Sequence, residues 1–175
     1  MKILTKEQLA ALRDIITPDN LKSVDENTRK VLDELINEDE NINAVSLFID
    51  GAADLHTKTA GIGGVFLREN NEELYRFSEY LDDATNNEAE YSSLIRGLEI
   101  GIELNIINID IYSDSELVVK QVSGEYKVKH ERMRPLHRKA IALLSQYSNW
   151  RMQHVPRDDN TVADKLSKKG MKQER

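Results

Sequence analysis

The sequence predicts an α/β domain, a mixed sheet with helices on its faces, preceded by a helical hairpin. Two observations carry this. Three strand-like runs succeed one another between Val45 and Leu81 and make a meander. Helix and strand patterns then alternate, so that the element order is β-β-β-α-β-α-α-β-α, five strands in all. The expected boundaries are residues 1–43 for the hairpin and linker, 44–170 for the α/β domain and 171–175 for a short tail.

In the hairpin, Thr5 with Gln8 and Ser23 with Glu26 have capping-box spacing. Leu9, Leu12, Ile15 and Ile16, then Val31, Leu32, Leu35 and Ile36, recur at helical intervals, with a turn at Thr17-Pro18-Asp19-Asn20 between them. One apolar stripe per helix buries little by itself. The hairpin is therefore expected to make a homodimer with a second copy of the chain or to cover an apolar face of the main domain. Glu38 to Asn43 is a polar linker.

From Val45 the pattern changes. The apolar run Val45 to Asp50 suits a buried central strand, and Gly61 to Leu67 and Glu72 to Leu81 read as the next two strands. A long helix spans Asn86 to Leu104, announced by the box Thr85 to Glu88. Ile107, Ile109 and Ile111 alternate with polar residues and give a strand; a short helix covers Glu116 to Val122. A helix from about Arg132 to Tyr147, a strand from Trp150 to His154 and a closing helix from Asp159 to Lys169 complete the chain.

With 175 residues the chain can bury one ordinary core, and with no cysteine it has neither disulfides nor thiolate metal sites. Any metal must be held by oxygen or imidazole, and a carboxylate site points to magnesium or manganese. The amino-terminal residues turn charged before an apolar leader forms, and about 18 consecutive apolar residues occur nowhere. A soluble cytoplasmic protein with no membrane partner is expected. The net charge of −7 is unevenly spread. Residues 1–43 carry −4, whereas Lys120 to Arg157 holds nine Lys/Arg against Glu125 and Glu131. Such a stretch is either a solvated helix face or a patch for a polyanion.

Four acids stand in strings that chemistry could use: Asp50 in FIDG, Glu90 in TNNEAE, Asp114 in IYSDSE and Asp164 in HVPRDDNTVAD. Taken singly, each has a plain structural explanation. Asp50 precedes a glycine, as turn aspartates do. Asp114 follows Ser113, which has box spacing with Glu116, so it could serve the helix dipole. Asp164 precedes lysines and suits an intrahelical ion pair. Glu90 is the most informative, since it shares a helix face with Leu94, Gly97 and Gly101 and that face should lie close to the sheet. Together the four suggest a metal-dependent phosphoryl-transfer site, because crowded carboxylates repel and lose hydration unless a dication sits among them.

The four strings, in this order, resemble the type 1 ribonuclease H family, also found as a domain in reverse transcriptases, over about residues 44–170. The strand-end Asp-Gly corresponds to Asp50-Gly51, the TNNxxE string to Thr85 through Glu90, and the SDS string to Ser113-Asp114-Ser115. The final histidine, asparagine and aspartate correspond to His154, Asn160 and Asp164. The resemblance implies a ribonuclease H-like mixed five-stranded sheet in which Asp50, Glu90, Asp114 and Asp164 share two magnesium ions, or manganese, with Asp50 the bridge. It implies an endonuclease cutting the RNA strand of RNA–DNA hybrids to leave 5′-phosphate and 3′-hydroxyl ends, with His154 moving a proton or assisting product release. It also implies that Gly51, Asn86, Asn87, Ser113 and Asn160 lie toward the substrate, Asn86 and Asn87 as minor-groove contacts. Lys127 and Lys129 of the basic stretch complete the expected substrate contacts.

Two departures stand out. The Gly-Asn-Pro-Gly-like loop that often follows the first aspartate is replaced by Ala52 to Ala60, and the tryptophan-rich basic protrusion by Tyr126-Lys127-Val128-Lys129-His130. Two other readings keep the fold: a non-catalytic nucleic-acid-binding or assembly module, and a nuclease with a different nucleic-acid substrate.

Overall fold

The computed structural model describes residues 11–12, 15–16, 24–37 and 45–173. The first helix of the expected hairpin falls largely outside them, as do the linker and the last two residues. The second helix is present as α1 (Glu26–Asn37). Its start is held by Asp25, whose carboxylate accepts from the Thr28 amide at 3.0 Å and from its hydroxyl at 2.6 Å. An aspartate does the work expected of a box from Ser23, a position outside the described residues. Among the described residues no helix is long and apolar enough to cross a membrane.

The main body follows the expected order: β1 (Val45–Asp54), β2 (Thr59–Leu67), β3 (Glu73–Asp82), α2 (Asn86–Glu103), β4 (Asn108–Ser113), α3 (Glu116–Val122), α4 (Met133–Leu144), β5 (Asn149–His154) and α5 (Thr161–Met171). The sheet order is β3-β2-β1-β4-β5. β1, β2 and β3 pair antiparallel, while β4 runs parallel to both β1 and β5. A meander followed by two crossovers therefore gives a mixed sheet, as the sequence predicts. Two boundaries differ in kind. Residues 157–159 form a single 3-10 turn, and the closing helix begins only at Thr161. β1 also runs past Asp50 to Asp54 and turns tightly into β2, with the Asp54 side chain accepting from the His56 amide at 2.8 Å. Much of the stretch expected to replace the family loop is thus strand, not loop.

Strand alternation sorts β1 into two faces. Leu47 and Ile49, fully buried, lie under α2, where a Cβ on Gly97 would come within 2.7 Å of Leu47. Gly51 is on the same face, and a Cβ there would stand 2.2 Å from the Ala89 carbonyl carbon. The other face of the sheet carries α5. A Cβ on Gly61 would meet the Met171 amide at 2.2 Å, one on Gly63 the Ser167 amide at 2.3 Å, and one on Gly170 the Glu79 carbonyl oxygen at 2.4 Å. These are backbone atoms, which cannot swing aside, so the glycines let helix and sheet backbones touch. Gly63→Ala is expected to lift α5 from the sheet and cost roughly 1–3 kcal/mol. Urea unfolding checks this, and an unchanged midpoint would show the helix free to move.

Candidate active site

The parallel ladder between β1 and β4 ends at Ile49 with Ser113. Asp50 is therefore the first residue of β1 beyond its parallel partner, although β1 continues against β2, where Asp50 faces Gly63. Asp50 is thus mid-strand, not strand-terminal as the apolar run suggested. Asp114 follows β4, and His154 ends β5 opposite Ser113. All three lie along the carboxyl edge of the parallel strands, where open α/β sheets place their ligands. Glu90 comes from the second turn of α2, whose capping box is complete: the Thr85 amide donates to Glu88 at 2.8 Å and the Glu88 amide to the Thr85 hydroxyl at 3.4 Å. The adjacent Tyr91, fully buried, donates to Gln121 of α3 at 2.8 Å and locks the helix in place.

One carboxylate oxygen each of Asp50, Glu90 and Asp114 lies within 4.8 Å of the other two. Asp50 and Glu90 are only 4% and 5% exposed, so little water shields their mutual repulsion. Burial, then the charges of Asp50 and Asp114, push the Glu90 carboxyl up to about 9. Burial likewise raises Asp50, opposed by a hydrogen bond from Ser167 and reinforced by the Asp114 charge. The Gly51 amide donates to Glu90 at 3.2 Å, a bond available because the missing Gly51 side chain lets α2 come so near. An all-oxygen, like-charged, desolvated donor set fits a hard dication, whose charge would remove the penalty.

Asp164 stands apart from that trio. It accepts from Arg157 at 2.6 Å and from Lys168, one turn on, at 2.7 Å. Burial alone would raise its carboxyl, but those two cations outweigh it and hold it below the usual range. The intrahelical pair expected from the sequence is present, and Asp164 nevertheless adds its charge to the field at Asp50. It borders the cluster, bridled by two cations.

The remaining expected residues divide by burial. Asn86 and Asn87 are exposed on the first turn of α2, and Lys127 and Lys129 are exposed on the segment after α3. Lys127 lines a groove of about 780 Å³ with Tyr126, Arg134, His137 and Arg138. Ser113 is fully buried, and its hydroxyl accepts from the Ser115 amide at 3.1 Å. The cap of α3 is Ser115, not the Ser113 to Glu116 box; Glu116 pairs with Lys120 at 2.6 Å instead. Asn160, 1% exposed, points inward and donates to the Ile49 carbonyl at 2.8 Å and to Asp114 at 3.2 Å. Both acceptors face its nitrogen, so the amide ties the start of α5 to β1 and to a cluster carboxylate. Sequence reasoning missed Arg157 as a partner of Asp164, and Ser167, which bonds Asp50. Ser167 had a signal: with Ala163 and Gly170 it forms the small, buried face of α5, where a hydroxyl must find a partner.

Residues 48–170 match the family model described as reverse transcriptase-like. The chain belongs to that family. Within this ribonuclease H-like group, the bifunctional protein Rv2228c of Mycobacterium tuberculosis is 37% identical over 123 residues, 70% of this chain and 34% of that protein. The chain thus spans about a third of the length of that curated relative. Ribonuclease HI of Halobacterium salinarum is 31% identical over 127 residues, 73% of this chain and 64% of that protein. Its crystal structure superposes with a TM-score of 0.70, covering 73% of this chain and 97% of that one. LC11-RNase H1, solved in complex with an RNA/DNA hybrid, superposes at 0.68 with 32% identity, covering 73% and 96%. The matched region is the domain that brings Asp50, Glu90 and Asp114 together. α1 lies outside it.

Proposed function

We propose that this chain is a metal-dependent endonuclease that hydrolyses the RNA strand of RNA–DNA hybrids. The observation that carries this reading is the convergence of the Asp50, Glu90 and Asp114 oxygens to within 4.8 Å. Its weight comes from the setting, a family whose similar members are named ribonuclease HI and RNase H1, one of them solved with a hybrid. Two magnesium ions are the proposed occupants, held by Asp50, Glu90 and Asp114 with Asp164 at the rim; manganese has the same ligand preferences. When bound, such ions acidify water and stabilise charge on a departing oxygen, which in this reading leaves a 5′-phosphate and a 3′-hydroxyl.

The protein's own groups supply the rest. Asp50, set in β1 and bonded to Ser167, would hold metal together with Glu90 and Asp114. Asn160 bonds both Asp114 and the Ile49 carbonyl, which ties β1 to the loop after β4. His154, exposed at the end of β5, takes the proposed role of moving a proton or helping product leave. Asn86 and Asn87 present amides that can sense 2′-hydroxyls, and Lys127 and Lys129 offer charge to backbone phosphates.

The test is incubation with an end-labelled hybrid and magnesium. Internal cuts in the RNA strand alone are expected. No cleavage at any magnesium or manganese concentration would turn the reading to a binding module, and preferential cutting of single-stranded RNA would change the substrate.

A further inference from the structure

Ser167 is fully buried, and its hydroxyl lies against two acceptors, the Asp50 carboxylate and the Asp164 carbonyl, the latter at 2.9 Å. A serine hydroxyl has one proton to give. The carboxylate is the stronger acceptor, because a bond to an ionised oxygen is worth about twice a neutral one. Among the described residues, Ser167 is the one non-acidic hydrogen-bond donor to Asp50.

The backbone that carries this hydroxyl is clamped, and its two acceptors set the direction of the side chain. Gly63, the residue opposite Asp50 across the β1–β2 ladder, leaves room for the Ser167 amide where a Cβ would sit, only 2.3 Å away. The preceding carbonyl, that of Leu166, accepts from the Ser78 hydroxyl of β3 at 2.7 Å. Gly61 and Gly170 bring the next turn of α5 equally close to β2 and β3. Asp50 of β1 is thus joined by one side-chain bond to a helix whose backbone is seated on the neighbouring strand, β2. A carboxylate with one oxygen held in this way has less torsional freedom to lose when its other oxygen engages a cation.

We infer that Ser167 is a positioning residue for metal binding, orienting the Asp50 carboxylate from the floor of the site through a hydroxyl clamped by the glycine-mediated contact between α5 and β2. The inference rests on the metal-binding reading of the carboxylate cluster and adds to it a specific residue that touches neither metal nor substrate. Ser167 contributes by sparing the ions the entropy of ordering a free carboxylate.

The experiment is a titration of the full chain with Mn2+, followed by the electron paramagnetic resonance signal of the free ion. Ser167→Ala is expected to weaken Mn2+ binding about tenfold, the effect of one hydrogen bond to a charged group. Ser167→Thr keeps the hydroxyl and should recover most of that loss. Ser78→Ala removes a different side-chain tie between α5 and the sheet without touching Asp50, so it should lower the unfolding temperature and leave Mn2+ affinity unchanged. If wild type binds no Mn2+, the metal reading falls and this inference with it. Equal affinity in wild type and Ser167→Ala overturns this inference alone. So does a loss in Ser78→Ala as large as that in Ser167→Ala, since general loosening of α5 would then explain both.

Discussion

Asp50→Asn is expected to abolish hybrid cleavage while leaving the protein folded. The amide has the shape of the carboxylate and still accepts from Ser167, so the β1 to α5 contact survives. What is lost is a negative charge at a position only 4% exposed, beside Glu90 and Asp114. Charge stabilisation by metal is worth several kcal/mol, and about 1.4 kcal/mol is tenfold in rate, so a fall on the order of 10³-fold or more is expected. The measurement is single-turnover cleavage of a labelled hybrid at saturating magnesium, with circular dichroism as the check on folding. Activity within tenfold of wild type would remove Asp50 from the site. The same change should stabilise the metal-free protein, because it relieves repulsion that a dication would otherwise neutralise.

Glu90→Gln should flatten the response of metal-free stability to pH. The Glu90 carboxyl is pushed from an ordinary 4.5 to about 9 in the folded chain, by burial and by the neighbouring aspartates. Between those values the folded state keeps a proton that the unfolded chain has released. Folding is therefore favoured fully below about 4.5, and the advantage is lost as pH rises toward 9. In chelator, wild-type stability should fall between pH 5 and pH 8 by up to roughly 1 kcal/mol per pH unit. The glutamine variant, neutral throughout and able to accept from the Gly51 amide, should lose much less over the same interval. Asp50, also raised, contributes the slope that remains at the acid end. Magnesium at pH 8 should restore wild type and do little for the variant. Denaturant unfolding at the two pH values decides, and parallel losses in the two proteins would place the pH response elsewhere.

Legibility differed between residues for reasons that can be named. The capping box at Thr85 and Glu88 is local, complete within four residues, and reads the same in the sequence and in α2. The approach of α2 to the sheet was also readable, because Gly97 shares a helical face with Glu90 and lies on Leu47 of β1, whereas Gly101 on the same face makes room for the Tyr147 hydroxyl. Ser113 misled because box spacing does not say which residue begins the helix: Ser115 is the cap, and the Ser113 hydroxyl accepts from its amide instead of from the helix. Asp164 was readable as an ion pair with Lys168, one turn away, but not as a partner of Arg157, which reaches it only because a 3-10 turn stands before α5. Asn160 was expected to face substrate; its bonds to Ile49 and Asp114 could not be read from the sequence, because both partners lie far away in the chain.

The sequence by itself determined the order of elements, the meander that makes the sheet mixed, and the family, because periodicity and short motifs are properties of neighbouring residues. Only the tertiary structure decided that three of the four acids meet while the fourth sits between two cations. It alone placed Asp50 mid-strand and set Ser167 beneath it. Those outcomes depend on where glycines let backbones touch and on which charges burial leaves unshielded, and both are set by segments far apart in the chain, 39 residues for Gly51 and Glu90 and 117 for Asp50 and Ser167.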